Sequence, residues 1–213
     1  MKIKDGETIL FTGDSITDCG RTRPVGTADK DESGLGNGYV ALLNSFIKTG
    51  YPELDITILN TGISGNRVTD LDERWQKDVV GLKPDWLSIM IGINDVWRQF
   101  DRPQMRQVTI DIYEETYRRL LKSIRHDLKG LVLMTPYLIE ADHSFPMRKK
   151  MDEYGQIVRL LATEFDAVFI DVQAAFDRYL EHRPWQSLCN DRVHPQLSGH
   201  LIIAEAFRQA VLK

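Results

Sequence analysis

Short apolar stretches rich in β-branched residues alternate with longer amphipathic stretches along most of this chain. The strand candidates are residues 8–12, 54–60, 84–91, 131–135 and 167–171, and the helix candidates are residues 38–48, 68–80, 109–128, 151–165 and 198–212. Such alternation favours a parallel sheet with helices on both faces. We therefore expect an α/β fold, a three-layer α/β/α sandwich with a five-stranded parallel sheet. Among the possible strand orders we expect the flavodoxin-like order 2-1-3-4-5.

The chain shows no internal repeat, low-complexity tract or linker, so its 213 residues predict a single domain spanning 1–213. The formal net charge is −4 and no basic block stands out, which argues against a nucleic-acid partner. No run approaches the ~18 apolar residues that a membrane helix needs. Because polar residues 1–7 lead straight into the first strand, we expect no secretory signal peptide and a cytoplasmic protein.

The first strand candidate ends in Gly13-Asp14-Ser15, where the apolar pattern stops. A glycine directly after a strand lets the backbone turn sharply, and ligands of open α/β sheets bind at the carboxyl ends of the strands. Ser15 would also lie where a helix begins, beside backbone N–H groups that favour negative charge. This position makes Ser15 a candidate nucleophile. Its alternative role is a helix N-cap, a frequent use of serine after a strand.

Two further strand ends carry groups that could donate hydrogen bonds to a substrate. The second strand runs into Asn-Thr-Gly-Ile-Ser-Gly-Asn, in which Gly65 can present its backbone N–H with no side chain in the way. The third runs into Gly-Ile-Asn-Asp, in which the amide of Asn94 carries N–H donors. Singly, Gly65 could merely permit a turn and Asn94 could be an ordinary loop residue. Their joint occurrence at one edge of a sheet favours the functional interpretation.

Near its carboxyl end the chain contains Asp191-Arg192-Val193-His194-Pro195. Pro195 favours an extended backbone at His194 and suits the first turn of the last helix. Asp191 precedes His194 by three residues, which lets its carboxylate hold one imidazole N–H while the other nitrogen takes a proton from a serine. As alternatives, Asp191 could cap the turn before Pro195, and His194 could be a surface histidine.

Together these four blocks resemble the SGNH hydrolases, also called GDSL-type esterases and lipases, and the resemblance covers almost the whole chain. It implies the SGNH hydrolase fold and a catalytic triad of Ser15, Asp191 and His194. It also implies an oxyanion hole formed by the backbone N–H groups of Ser15 and Gly65 and the side chain of Asn94. Longer runs, such as Gly-Asp-Ser-Ile-Thr-Asp-Cys-Gly-Arg and Met-Thr-Pro-Tyr, are similar to those of bacterial intracellular acetylxylan esterases. That subfamily removes acetyl groups from xylo-oligosaccharides.

Four other residues are candidates for substrate binding because they lie in or near the expected catalytic edge: Asp14, Trp97, Tyr137 and Trp185. The three aromatic residues could stack on a sugar ring, or they could be packing or subunit-contact residues. Together with the subfamily resemblance they predict a homo-oligomer. Asp14 could equally hold the turn at the nucleophile by hydrogen bonds.

Two cysteines and five histidines show no metal-ligand spacing, and ester hydrolysis by a serine needs no metal or cofactor, so we expect neither. Cys19 and Cys189 are expected to be free thiols. Three functions compete: a sugar O-acetyl esterase, a short-chain lipid or lysophospholipid esterase, and a non-catalytic carbohydrate-binding protein. Residues 21–36 and 96–106 are largely polar and charged, which favours acetyl over long acyl chains.

Overall fold

The computed structural model describes residues 2–24 and 32–213, and its centre is a sheet of five parallel strands. The strands are β1 (Thr8–Gly13), β2 (Thr57–Asn60), β3 (Trp86–Met90), β4 (Gly130–Met134) and β5 (Val168–Ile170). Their order, β2-β1-β3-β4-β5, confirms the prediction. Every residue of β3 and β4 is buried, as expected of strands covered on both faces.

Helices in two layers enclose this sheet. They are α1 (Ser15–Asp18), α2 (Tyr39–Gly50), α3 (Val68–Asp78), α4 (Ile93–Asp101), α5 (Ile110–Ile124), α6 (Pro146–Glu164), α7 (Val172–Leu180) and α8 (Leu197–Phe207). Helices α2, α7 and α8 pack together, and α3, α4, α5 and α6 form the other layer. Short 3₁₀ segments occur at Glu32–Leu35, Val80–Leu82, Arg125–Asp127 and Trp185–Ser187, and a π-helical turn, Arg208–Leu212, follows α8. The expected three-layer sandwich is thereby confirmed.

Two helices, α4 and α7, were not predicted. In α4 only residues 93–96 are buried, so its apolar pattern is too short to indicate a helix by periodicity. In the fifth strand the prediction ran one residue too far, because Asp171 caps α7 and accepts a hydrogen bond from the backbone N–H of Ala174 at 2.9 Å. An aspartate at this position is a typical helix start.

Other boundaries differ by a few residues. Helix α6 begins at Pro146, five residues before the predicted start, and a proline suits the first turn of a helix. Of the loop expected at 21–36, residues 25–31 lie outside the described residues. Within the described ranges, no helix has the length and apolar character needed to span a membrane.

The register of the strands brings three segments to one edge of the sheet. Gly13 at the end of β1 pairs with Met90 at the end of β3, and Phe11 pairs with Asn60 at the end of β2. A Cβ at position 13 would lie 2.2 Å from the carbonyl oxygen of Met90, so this approach requires glycine. The chain segments that follow β1, β2 and β3 therefore start side by side.

Candidate active site

Ser15 is the first residue of α1 and follows directly from β1. The carboxylate of Asp14 caps this short helix, accepting a hydrogen bond from the backbone N–H of Ile16 at 3.0 Å. Asp14 is almost fully buried, whereas Ser15 is partly exposed at the protein surface. The cap therefore belongs to Asp14, which leaves the Ser15 hydroxyl free to face solvent and a substrate.

The side chains of Ser15, His194 and Asp191 form a continuous chain of hydrogen bonds. The Ser15 Oγ lies 2.9 Å from His194 Nε2, and His194 Nδ1 lies 2.6 Å from Asp191 Oδ2. A carboxylate only accepts, so this contact places the imidazole proton on Nδ1 and leaves Nε2 to accept the proton of Ser15. The arrangement can therefore deprotonate a serine for attack on an acyl carbon.

Asp191 is held as a carboxylate by several donors. Burial raises its pKa, but the His194 side chain, the backbone N–H groups of His194 and Val193, and the nearby imidazole more than compensate, so the pKa lies below its ordinary value. The two backbone donors reach Asp191 Oδ1 at 2.8 Å from His194 and 3.0 Å from Val193. One carboxylate thus both orients the imidazole and fixes the loop that carries it.

Gly65 and Asn94 line the same cavity as Ser15 and His194. Gly65 has a φ of +83°, and a Cβ there would meet no atom within 4 Å, so glycine is favoured for its backbone angle and not for want of space. The cavity has a volume of about 380 Å³ and is lined by Ser15, Ile16, Cys19, Ser64, Gly65, Asn94, Trp97, Arg98, His194, Pro195 and His200. The structure therefore brings the proposed nucleophile, base and oxyanion donors to one cavity.

Two buried aspartates anchor the segment that contains Gly65, and the sequence analysis missed both. Asp18 Oδ2 accepts hydrogen bonds from the backbone N–H and the hydroxyl of Ser64, each at 3.0 Å. Asp95 Oδ1 accepts one from the backbone N–H of Val68, the first residue of α3, at 3.0 Å. Both acids belong to motifs that the sequence analysis had noted, but nothing in their spacing indicates these partners.

Arg74 on α3 ties the ends of β1 and β2 to the Gly65 segment. Its guanidinium donates to the carbonyl oxygens of Gly13 at 3.0 Å and Thr61 at 2.7 Å, and to Asn66 Oδ1 at 2.7 Å. The sequence analysis predicts a helix at 68–80 and assigns no role to this arginine. Its side chain is only 12% exposed, because strand ends leave carbonyl groups that need donors.

Arg192 braces the loop that carries Asp191 and His194. Its Nε lies 2.6 Å from Glu140 Oε2, and its Cζ lies 4.2 Å from the centroid of the Trp185 ring. Arg192 adopts a φ of +65°, a backbone angle that costs energy for a non-glycine residue. Trp185 thus packs on Arg192 and is not among the residues that line the cavity, which agrees with the packing alternative.

Of the other substrate-binding candidates, only Trp97 lines the cavity. Its ring centroid lies 5.9 Å from that of His194, so this indole borders the proposed base. The prediction that Tyr137 contacts substrate is wrong, because Tyr137 is fully buried, stacks on Phe176 at 4.4 Å and donates to the carbonyl oxygen of Val193 at 3.3 Å. Asp14 caps α1, which corrects its assignment as a binding residue.

Cys19 lies one turn behind Ser15 and packs on a buried histidine. Its Sγ is 3.4 Å from His200 Nε2, while His200 Nδ1 accepts the backbone N–H of Tyr39 at 3.3 Å. Burial lowers the pKa of His200 to about 4 and raises that of Cys19, so the pair is neutral near pH 7. Both Cys19 and Cys189 are free thiols in the structure, and Cys19 is a packing residue.

Asp14 combines deep burial with a perturbed proton affinity. Burial raises its pKa to about 7, against the opposing effects of the Ile16 N–H and the charges of His194 and Arg74. In an unfolded chain the pKa of an aspartate is near 3.9. Between these two values the native state binds more protons than the unfolded state, so this group lowers the free energy of unfolding as the pH rises.

We therefore expect the variant Asp14→Asn to gain stability relative to the parent protein as the pH is raised from about 4 to about 8. Asparagine keeps the acceptor oxygen of the cap and carries no proton to lose. Urea unfolding at several pH values measures the difference. Asp111→Asn, which removes an exposed carboxylate from the first turn of α5, is the control, and a parallel pH dependence for both variants would contradict the expectation.

Comparison with known proteins agrees with this geometry. The sequence model of the GDSL-like lipase/acylhydrolase family matches residues 11–202. An acetylxylan esterase of Geobacillus stearothermophilus is 50% identical over 213 residues, which covers 99% of this chain and 96% of the esterase. Its crystal structure superimposes with a TM-score of 0.96.

Other solved structures add detail. An α/β hydrolase from the metagenome of Lake Arreo, Spain, is 46% identical, with a TM-score of 0.95 over 99% of this chain and 97% of that one. Three structures of the Geobacillus esterase are of catalytic mutants that carry alanine for a serine numbered 15, an aspartate numbered 191 and a histidine numbered 194. The hydrogen-bonded chain described above consists of the same three residue types with the same numbers.

Proposed function

This chain belongs to the GDSL-like lipase/acylhydrolase family, and from that premise we propose that it is a serine esterase that releases acetate from acetylated xylo-oligosaccharides. The observation that carries the proposal is the 2.9 Å contact between Ser15 Oγ and His194 Nε2, in a cavity that also contains Gly65 and Asn94. The choice of substrate is supported by the 50% identity with an acetylxylan esterase. The intact hydrogen-bonded chain speaks against a binding protein without activity.

In the proposed mechanism the Ser15 Oγ attacks the acetyl carbonyl carbon while its proton passes to His194 Nε2. The carbonyl oxygen gains negative charge and accepts hydrogen bonds from the backbone N–H groups of Ser15 and Gly65 and from the amide of Asn94. Asp191 stabilises the imidazolium that forms. Ser15, Gly65 and Asn94 line one cavity, which supports an oxyanion hole that needs little reorganisation as the charge develops.

Collapse of this intermediate breaks the bond between the acetyl carbon and the sugar oxygen. The sugar hydroxyl leaves with the proton held by His194, and the acetyl group stays on Ser15. A water molecule then gives its proton to His194 and attacks the acetyl carbon. Acetate leaves, and the proton returns to the Ser15 oxygen.

We expect acetyl esters to be preferred, with the specificity constant falling steeply for acyl chains longer than butyryl. Each buried methylene contributes ~0.8 kcal/mol only where an apolar surface receives it. The large apolar side chains in the cavity lining are Ile16, Trp97 and Pro195, which suffice to receive a short acyl group. A series of aryl esters from acetate to decanoate tests this, followed by mass spectrometry of acetylated xylo-oligosaccharides and acyl lipids before and after incubation.

A maximum at octanoate or beyond, or deacylation of lipids in preference to acetylated sugars, would replace the sugar esterase by a lipid esterase. Removal of acetyl groups from the oligosaccharide, at a rate that matches the best aryl ester, would support the proposal. Lack of turnover with every ester would instead favour a carbohydrate-binding protein.

We also propose that the protein acts in the cytoplasm and as a homo-oligomer. Two leucines on one face of α8, Leu197 and Leu201, are 63% and 57% exposed, which is consistent with a subunit contact. Light scattering at micromolar concentration would contradict the oligomer if it gave the 24.5 kDa monomer mass.

A further inference from the structure

Arg98 lies on α4 one helical turn after Asn94, and its side chain lines the catalytic cavity. One guanidinium nitrogen, Nη2, donates a hydrogen bond to Asn94 Oδ1 at 3.2 Å. Residues four apart on a helix face each other, so this contact follows from the helix itself. No part of the mechanism above uses Arg98.

The other end of the same amide is also held. Asn94 Nδ2 donates to the backbone carbonyl oxygen of Asn66 at 3.1 Å. A guanidinium can only donate and a carbonyl oxygen can only accept, so the two partners together fix which end of the amide is oxygen and which is nitrogen. Of the two N–H groups on Nδ2, one is taken by Asn66 and the second is left for an oxyanion.

Arg98 is itself restrained on two sides. Its Nη1 forms an ion pair with Asp101, and its Cζ lies 4.9 Å from the centroid of the Trp97 ring. Its side chain is only 17% exposed. Because Arg98 is already restrained, it loses no further conformational freedom when it orients the amide of Asn94 during the reaction.

We propose that Arg98 is a positioning residue for the esterase reaction, which keeps the Asn94 amide turned so that its free N–H faces the oxyanion. The proposal rests on the proposed function. Without Arg98 the amide can rotate about its last side-chain bond and present its oxygen to the oxyanion, which repels it. A hydrogen bond accepted at the amide oxygen also polarises the amide and strengthens its N–H as a donor.

The test uses 4-nitrophenyl acetate, which carries no sugar, and four variants: R98M, R98K, N94A and R102M. We expect R98M to lower kcat by about 10- to 100-fold with little change in KM, the range seen when groups that orient metal ligands are removed. R98K, which keeps a donor, should recover much of the rate. R102M removes an exposed arginine just after α4 and should leave the kinetics unchanged.

Two further readouts separate positioning from a general structural role. Methylboronic acid binds by addition of the Ser15 Oγ to boron, with the serine proton passing to His194 and one boron hydroxyl in the oxyanion hole. Its inhibition constant should rise in R98M by the factor that kcat falls. In the double variant that combines R98M with N94A, kcat should be little lower than in N94A alone. Arg98 acts only through the amide of Asn94, which N94A has already removed.

Three results would overturn the proposal. Full activity of R98M on the aryl ester, with a raised KM for acetylated xylo-oligosaccharides, would make Arg98 a sugar-binding residue. Independent losses in R98M and N94A would exclude positioning, and so would a rate loss in R98M with unchanged inhibition by methylboronic acid. If instead the proposed esterase function is wrong, the parent protein itself will hydrolyse none of these esters, and this result differs from all three results above.

Discussion

Alanine at position 15 is expected to reduce turnover of aryl acetates by about 10⁴- to 10⁶-fold, as removal of the nucleophile does in other serine hydrolases. The variant Ser15→Ala loses the only oxygen that can be acylated in the proposed mechanism. Its fold should be intact, because Ser15 is partly exposed and its hydroxyl bonds to His194 on a surface loop. Steady-state kinetics and circular dichroism measure the two effects.

The matched control is Ser45→Ala, which removes the hydroxyl of an exposed serine on α2 and should leave turnover unchanged. A phosphonylating reagent should add a single label to the parent protein, located on Ser15 by peptide mass spectrometry. Substantial residual activity in Ser15→Ala, or a label on another serine, would refute the assignment.

Asparagine at position 191 is expected to lower kcat by about 10⁴-fold, the loss that a wrong imidazole tautomer causes in serine proteases. In Asp191→Asn the side-chain oxygen can keep the backbone donors of Val193 and His194. Its NH₂ then faces His194 Nδ1, so the imidazole proton moves to Nε2. Nε2 can no longer accept the proton of Ser15. The hydrogen bond at Nδ1, 2.6 Å long in the parent protein, remains, but its donor is now the asparagine.

Nitrogen-15 NMR of the imidazole distinguishes this cause from simple misfolding. The parent protein should show the proton on Nδ1 of His194, and Asp191→Asn should show it on Nε2. If Asp191→Asn lost less than tenfold in kcat, with the tautomer unchanged, Asp191 would be only a cap for the loop.

The fold could be predicted from sequence because its strands are buried on both faces. Apolar, β-branched runs at regular intervals leave few topologies other than a parallel sheet. The helices α4 and α7 were missed because each is only nine residues long, and helical periodicity is recognised over windows of about 11 to 18 residues. Of their two starts, only that of α7 has a side-chain cap, Asp171.

Two parts of the candidate site could be predicted from the sequence: the residues at strand ends, and the carboxylate and imidazole that lie three residues apart in the chain. Ser15, Gly65 and Asn94 follow three strands, and Asp191 lies three residues before His194. The supporting residues had no such signal, because their contacts are long-range: Arg74 lies 61 residues from Gly13 in the chain. Tyr137 is an error of another kind, a residue predicted to contact substrate that lies in the core. An aromatic residue after a strand can point into the core as readily as into a cleft.

The supports described above divide the site into two parts of different local stability. The nucleophile and the oxyanion donors follow strands β1, β2 and β3 of the sheet, and Arg74 joins the ends of β1 and β2. The base stands on a loop outside the sheet, held by Arg192. Because local opening needs less free energy than global unfolding, the base should part from the nucleophile before the sheet melts. Loss of activity on heating would then report the detachment of one loop, ahead of any loss of secondary structure.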